Sequence, residues 1–241
     1  VLGRLQGMFA FAAYDRARGR VILARDPFGI KPLYYAVIGQ TLVFASEVPA
    51  MLEFPGVSRR IDPRHWYAFL TESKTDYGNG TLFADVHQVP AAHYVEVPLA
   101  NPPGRQELRY WSLDLTREIA CSFDEAADRV RDAFLVSMRL HLRSDAPLGF
   151  ALSGGVDSSA VVMAARTLLG PSHDLRTFSY VPDDPQIDEE RHADMVSAAA
   201  GAAVHKVRLS AADLRADLET LSSVQGEPFA SPVIYAQYRV M

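Results

Sequence analysis

The sequence predicts two unlike folds in succession: a β-rich front and an α/β rear built on a parallel sheet. Three observations carry this reading. The first hundred residues consist largely of short apolar runs of strand length, separated by turns that contain Gly. Residues 98–123 break that pattern with Pro98, Pro102, Pro103 and Gly104. From residue 123 onward, helix-length stretches alternate with short apolar runs, the arrangement that lays strands parallel with helices across both faces.

The elements follow in order. Residues 8–14 (MFAFAAY) are an apolar run, residues 16–20 (RARGR) a turn around Gly19, and residues 21–24 the next strand. Residues 33–38 and 41–45 flank Gly39 and Gln40, a hairpin turn. Residues 47–54 form one or two helical turns. Asp62 caps a helix that has Pro63 at its first position and runs to about Leu70. Residues 71–80 are a polar loop, and residues 82–97 carry a β pattern interrupted at Val89 and Pro90. In residues 24–35 (ARDPFGIKPLYY), Arg25 and Asp26 are expected to pair and fix a turn, with Gly29 in a conformation that other residues resist. Domain limits are expected at 1–99 and 124–241, with 100–123 as a linker whose Tyr110 and Trp111 pack on something.

In the rear, residues 123–142 place Phe123, Ala126, Ala127, Val130, Ala133, Phe134, Ser137, Met138 and His141 on one helical stripe. A strand over 147–152 and a small-residue turn lead to a helix over 159–169. A strand over 175–181, a helix over 187–200, a strand over 204–209 and a helix over 211–221 complete the alternation. Residues 231–241 (SPVIYAQYRVM) read as helix. Residues 183–190 read as a solvated acidic loop, with Asp188 and Glu189 opening the helix after it.

Composition excludes several classes. The chain has 241 residues, 49% hydrophobic and 22% charged, which is ordinary for an ordered globular protein. Its net charge of −5, from 24 basic and 29 acidic residues, provides no basic field to attract nucleic acid or a membrane surface. A single cysteine rules out a disulfide framework and CxxC zinc or redox sites, and fits a reducing, cytoplasmic setting. No apolar run reaches the roughly 18 residues of a membrane span, and the N-terminus lacks the layout of a signal peptide. The chain begins at Val1 in a strand-like run and ends in a helix-like one, so a fragment cut at both ends is the expectation. His87, His93, His141, His173, His192 and His205 show no metal-ligand spacing and read as solvated or core side chains.

The chemistry concentrates in residues 149–159 (GFALSGGVDSS), at the end of the first rear strand and the start of a helix. Ligands of open α/β sheets bind there, and a helix N-terminus offers unpaired N–H groups and partial positive charge to phosphate. Gly154 and Gly155 let the backbone curl close to an anion, and Ser153, Ser158 and Ser159 add hydroxyl donors. Asp157 suits such a site when Mg²⁺ stands between carboxylate and phosphate. The segment nearly matches the P-loop pattern from Gly149, but Gly155 occupies the position of the required Lys. Backbone, metal and residues elsewhere must therefore meet the phosphate charge.

SGGVDSS resembles the pyrophosphate loop of the N-type ATP pyrophosphatases, which adenylate a carboxylate or carbonyl oxygen. Residues 5–11 (LQGMFAF), 24–35 and 44–47 (FASE) resemble the later part of a class II glutamine amidotransferase domain. The two in this order resemble the glutamine-hydrolysing asparagine synthetases, and the likeness continues through 177–181 (TFSYV) and 226–238 (GEPFASPVIYAQY). The resemblance implies an α+β, N-terminal-nucleophile hydrolase-like αββα front domain and an α/β ATP pyrophosphatase-type rear domain, each truncated. It implies ATP and Mg²⁺, with ATP bound by Leu152, Ser153, Gly154, Gly155, Asp157, Ser158, Ser159 and Tyr180, and Mg²⁺ by Asp157. It implies aspartate and glutamine as substrates, asparagine, AMP and pyrophosphate as products, and leaves a homodimer open. Glu227 is placed by it near the aspartate pocket. The family's glutaminase cysteine is residue one of the mature chain, which the expectation puts upstream. Cys121 is not its substitute and reads as a small, partly buried apolar residue. The chain as given is therefore expected to be catalytically inactive. A β-lactam-synthetase-like or natural-product amide ligase, and a non-catalytic pseudo-enzyme, are the competing functions.

Overall fold

The computed structural model describes residues 1–75, 78–181, 189–231 and 233–241. They form two compact units, Val1–Arg117 with Ser222–Ala230, and Glu118–Leu221 with Ser231–Met241.

The first unit contains β1 (Ala10–Asp15), β2 (Arg20–Arg25), β3 (Tyr34–Ile38), β4 (Thr41–Ala45), α1 (Val48–Leu52), α2 (Pro63–Glu72), β5 (His87–Gln88), β6 (His93–Pro98) and β7 (Gln106–Arg109). Two antiparallel sheets result, ordered β1-β2-β6-β7 and β4-β3-β5. Alternation along each strand decides what is buried. Leu23, Val95 and Val97 of the larger sheet meet Tyr35 of the smaller one, together with Leu33 and Val89, in one core. The next residue, Ala36, points the other way and packs with Met51 of α1. Asp62 caps α2, accepting from Arg64 N at 2.8 Å and His65 N at 3.3 Å.

Three expectations for this unit need correction. Residues 100–123 are not simply a linker: Gln106–Arg109 adds a fourth strand beside β6, so the front fold extends past residue 99. Tyr110 donates its hydroxyl to Arg25 O at 2.7 Å, and Trp111 packs on Phe28, so both close onto the loop after β2. The β pattern over 82–97 yields strand only at His87–Gln88 and His93–Pro98. Arg25 and Asp26 do not pair. Adjacent residues at a strand end diverge, and each holds the 26–31 loop separately. Arg25 donates to Gly29 O (2.7 Å), Lys31 O (2.9 Å) and Val89 O (2.9 Å). Asp26, 1% exposed, accepts from the backbone N–H groups of Phe28, Ile30 and Lys31, each at 3.0 Å. Gly29 has φ +66°, in the left-handed region.

The second unit contains α3 (Phe123–His141), β8 (Gly149–Ala151), α4 (Val156–Leu169), β9 (Arg176–Val181), α5 (Glu190–Ala200), β10 (Ala203–Arg208), α6 (Ala211–Gln225, entering it as far as Leu221) and α7 (Val233–Val240). Its sheet, ordered β10-β9-β8, is parallel throughout. Ser122 opens α3 with a capping box: its hydroxyl accepts from Glu125 N, and the Glu125 carboxylate accepts from Ser122 N at 2.9 Å. Met138, Val162, Ala165, Leu175 and Ala193 form the core shared by α3, α4 and α5. On β9, Thr177 bonds Ser197 of α5 at 3.0 Å, whereas Phe178 and Tyr180 face the opposite way. Helix α4 begins at Val156, earlier than the expected residue 159, which brings Asp157 and Ser158 into its first turn. The expected start of α5 at residues 187–188 lies outside the described residues, as does most of the acidic 183–190 loop.

Candidate functional site: a cavity at the carboxyl end of the parallel sheet

The turn between β8 and α4 is held by its own serines. Ser153 N donates to Ser158 Oγ at 3.2 Å, the two hydroxyls lie 3.1 Å apart, and Gly155 N donates to Ser153 Oγ at 3.3 Å. Ser158 and Ser159 return their hydroxyls to Gly155 O at 3.2 and 2.7 Å. Gly155 is the N-cap of α4 and, lacking a side chain, leaves the first-turn amides without a side-chain cap. Those amides and the helix dipole point outward to the turn.

The two glycines differ. Gly154 has φ +89°, and a Cβ there would sit 2.8 Å from Glu189 O and 3.0 Å from Ala193 N at the start of α5. It is needed both for its conformation and for the approach of α5. Gly155 has an ordinary φ of −70°, and a Cβ would meet only Ser153 Oγ, at 3.4 Å. The space beside Gly155 is open on the outer side of the turn.

A cavity of about 370 Å³ opens beside this turn. Leu152, Ser153, Ser158, Tyr180 and Glu189 border it, with Phe178 from β9 and four residues of α7. Of the residues expected at an ATP site, the structure brings Leu152, Ser153, Ser158 and Tyr180 together here. Leu152 is 1% exposed and serves both the core and the cavity wall. Gly154, Gly155 and Ser159 lie on the adjoining turn. Asp157 follows directly but borders the groove between α3 and α4 rather than this cavity. Sequence reasoning missed Phe178, Val233, Ala236, Gln237 and Val240. The four α7 residues carry a signal, the spacing of one helical face, but not which element that face meets. Gly149 serves the wall indirectly: a Cβ there would strike the Phe178 ring at 2.7 Å.

Ser179, 3% exposed, donates to Leu152 O at 2.7 Å and pins the end of β8 where the turn begins. At the start of α5, Glu190 accepts from Lys206 and Arg208, both at 2.8 Å. The Lys206 donor, outweighing desolvation, holds the Glu190 carboxyl below the usual range. No Lys or Arg borders the cavity among the described residues, so an anion in it would be met by amides, hydroxyls and a helix dipole. No three His, Cys, Asp or Glu side chains converge as a metal cage among the described residues. The carboxylate of Asp157, in the first turn of α4, suits Mg²⁺, which takes one or two carboxylates and completes its shell with phosphate oxygens and water. Glu227 does not reach this cavity. It borders a separate one of about 240 Å³ in the first unit, with Tyr34, Glu47 and Pro49. Cys121 is partly exposed. No helix among the described residues is long and apolar enough to cross a membrane.

Comparison with known proteins matches two families along the chain. The family described as Glutamine amidotransferase domain matches residues 1–111, and the family described as Asparagine synthase matches residues 129–241. "Asparagine synthetase [glutamine-hydrolyzing] 1" of Bacillus subtilis is 30% identical over 241 residues, 98% of this chain and 36% of that protein. "Asparagine synthetase [glutamine-hydrolyzing] 2" of the same organism is 31% identical over 196 residues, 76% of this chain and 25% of that protein. "Amidase chry2" of Gibberella zeae is 34% identical over 164 residues, 66% of this chain and 23% of that protein. The chain thus spans about a quarter to a third of the length of these curated relatives. With an amidotransferase match followed by an asparagine synthase match along the same chain, the protein belongs to the glutamine-hydrolysing asparagine synthetase family.

Proposed function

We propose that the cavity of the second unit binds ATP and that the whole protein makes asparagine from aspartate, with glutamine as the ammonia source. The observation that carries this is the serine-held turn at the carboxyl end of β8, with uncapped α4 amides, opening onto a cavity that is polar at Ser153 and Ser158 and apolar at Leu152, Phe178 and Val233. The polar end suits the phosphates, and the apolar end suits the flat base. Gly154, Gly155 and Ser159 shape the turn around the phosphates, and Tyr180 borders the sugar and base. Mg²⁺ at Asp157 would offset phosphate charge, the part that the missing P-loop Lys plays elsewhere.

An aspartate side-chain oxygen attacks the α-phosphorus, the bond to the pyrophosphate oxygen breaks, and β-aspartyl-adenylate forms. Ammonia then adds to the activated carbonyl and AMP leaves, giving asparagine. This chain's residues hold the triphosphate in place and keep the region beside Leu152 and Phe178 dry. In this proposal residues 1–111 belong to an N-terminal-nucleophile type amidotransferase domain, residues 124–241 to an ATP pyrophosphatase-type domain, and the protein acts in the cytoplasm. Glutamine hydrolysis is assigned to no residue of this chain.

The test is aspartate-dependent exchange of labelled pyrophosphate into ATP by the intact protein. Exchange that requires aspartate supports the reading, and exchange driven only by another carboxylate supports a second one. That second reading, an amide ligase with a different acceptor, is favoured by the 34% identity to a protein named an amidase. Absence of nucleotide binding in calorimetry would sink both.

A further inference from the structure

Helix α7 presents two working faces. Val233, Ala236, Gln237 and Val240 border the cavity and share one face of the helix. Tyr235 and Arg239, one turn apart, stand on another face, and both donate to the same oxygen of Asp217 in α6. The Tyr235 hydroxyl lies 2.6 Å from Asp217 Oδ2, and an Arg239 guanidinium nitrogen lies 2.7 Å from it. Tyr235 is 3% exposed, so this bond is sheltered from water. Hydrogen bonds to a charged acceptor are short and strong. A helix as short as α7, with 8 residues, does not hold its place by intrinsic stability and depends on such contacts.

We infer that Asp217 is a positioning residue for the cavity: by fastening Tyr235 and Arg239 it sets the wall that α7 contributes. Asp217 does not border the cavity, so it acts through α7 alone. The inference rests on the nucleotide-binding reading above. It also has a handle that needs no ligand. Burial first, and donation to Asp217 second, push the Tyr235 phenol up to about 12. Removing the negative acceptor brings that titration down.

The test compares the intact wild-type protein with Asp217→Asn and Arg239→Gln. Arg239 is partly solvent-exposed, so its substitution leaves the fold in place. For both variants AMP affinity in calorimetry is expected to fall about tenfold, and KM for ATP to rise by a similar factor, with kcat within about twofold. Asp217→Glu is expected to restore part of the affinity. Ultraviolet titration is expected to move Tyr235 to lower pH in Asp217→Asn. Should Asp217→Asn fail to fold, Arg239→Gln and Tyr235→Phe carry the comparison. Wild-type binding of AMP with unchanged affinity in the variants overturns the positioning role alone. A kcat loss at constant KM overturns it too. A wild-type protein that binds no AMP overturns the nucleotide reading, and this inference with it.

Discussion

Asp26 shows how one buried side chain can organise a loop. Burial raises its pKa, but four backbone N–H groups, those of Lys31, Ile30, Phe28 and Phe9, outweigh this and hold the carboxyl below the usual range. The folded value is below the unfolded one. Its contribution to stability is therefore complete above the unfolded carboxylate pKa and is lost as pH falls through the folded value. Asp26→Asn presents an amide where Lys31 N or Ile30 N must donate. Urea denaturation is expected to show a loss of about 2–3 kcal/mol, together with a weaker dependence on acid. Gly154 and Gly155 make a second, paired prediction. Gly154→Ala forces a Cβ against the α5 backbone in a left-handed conformation and is expected to cost about 1–3 kcal/mol of stability. Gly155→Ala keeps an ordinary backbone, so the thermal midpoint should hold while nucleotide affinity falls. If the two variants behave alike, the distinction drawn between these glycines is wrong.

At the scale of elements, legibility follows the strength of local signals. Helix α2 was readable from Asp62 and Pro63, and α3 from its apolar stripe. The capping box of α3 makes a prediction of its own: Ser122→Ala is expected to cost about 1 kcal/mol in thermal unfolding, and Ser122→Asp much less. Strand β7 was not readable. Its residues Gln106–Arg109 (QELR) are mostly exposed at a sheet edge, so no apolar alternation marks them, and only pairing with β6 reveals them. The candidate site divides the same way. Leu152, Ser153 and Ser158 sit within one stretch of sequence, and Tyr180 at the end of the next strand, so motif and topology together point to them. The wall formed by α7 depends on packing between segments far apart in sequence, which periodicity cannot specify. Arg25 and Asp26 failed for a related reason: neighbouring opposite charges suggest a pair, but the strand geometry sends them to different partners.

For the molecule as a whole, each unit carries its own core and sheet system, and the candidate nucleotide cavity belongs to the second alone. Saturating nucleotide, at about 100 times its Kd, is expected to add about 2.7 kcal/mol to the stability of that unit. Hydrogen exchange should then slow at the amides of α4 and α7 and stay unchanged in β2 and β6; uniform slowing would contradict this placement of the site. The sheets also differ in the order in which their strands meet. In the second unit each strand lies beside its predecessor in sequence, and equal lengths of chain separate Gly149 from its partner Arg176 and Arg176 from its partner Ala203. In the first unit, β2 cannot complete its pairing until β6 returns, with Arg20 opposite Pro98. Closing that longer loop costs more chain entropy before any contact repays it. On the ribosome, the parallel sheet can therefore grow strand by strand as it emerges. The earlier-made antiparallel sheet must wait for its third strand, so the N-terminal part of the chain has the longer interval with exposed strand edges.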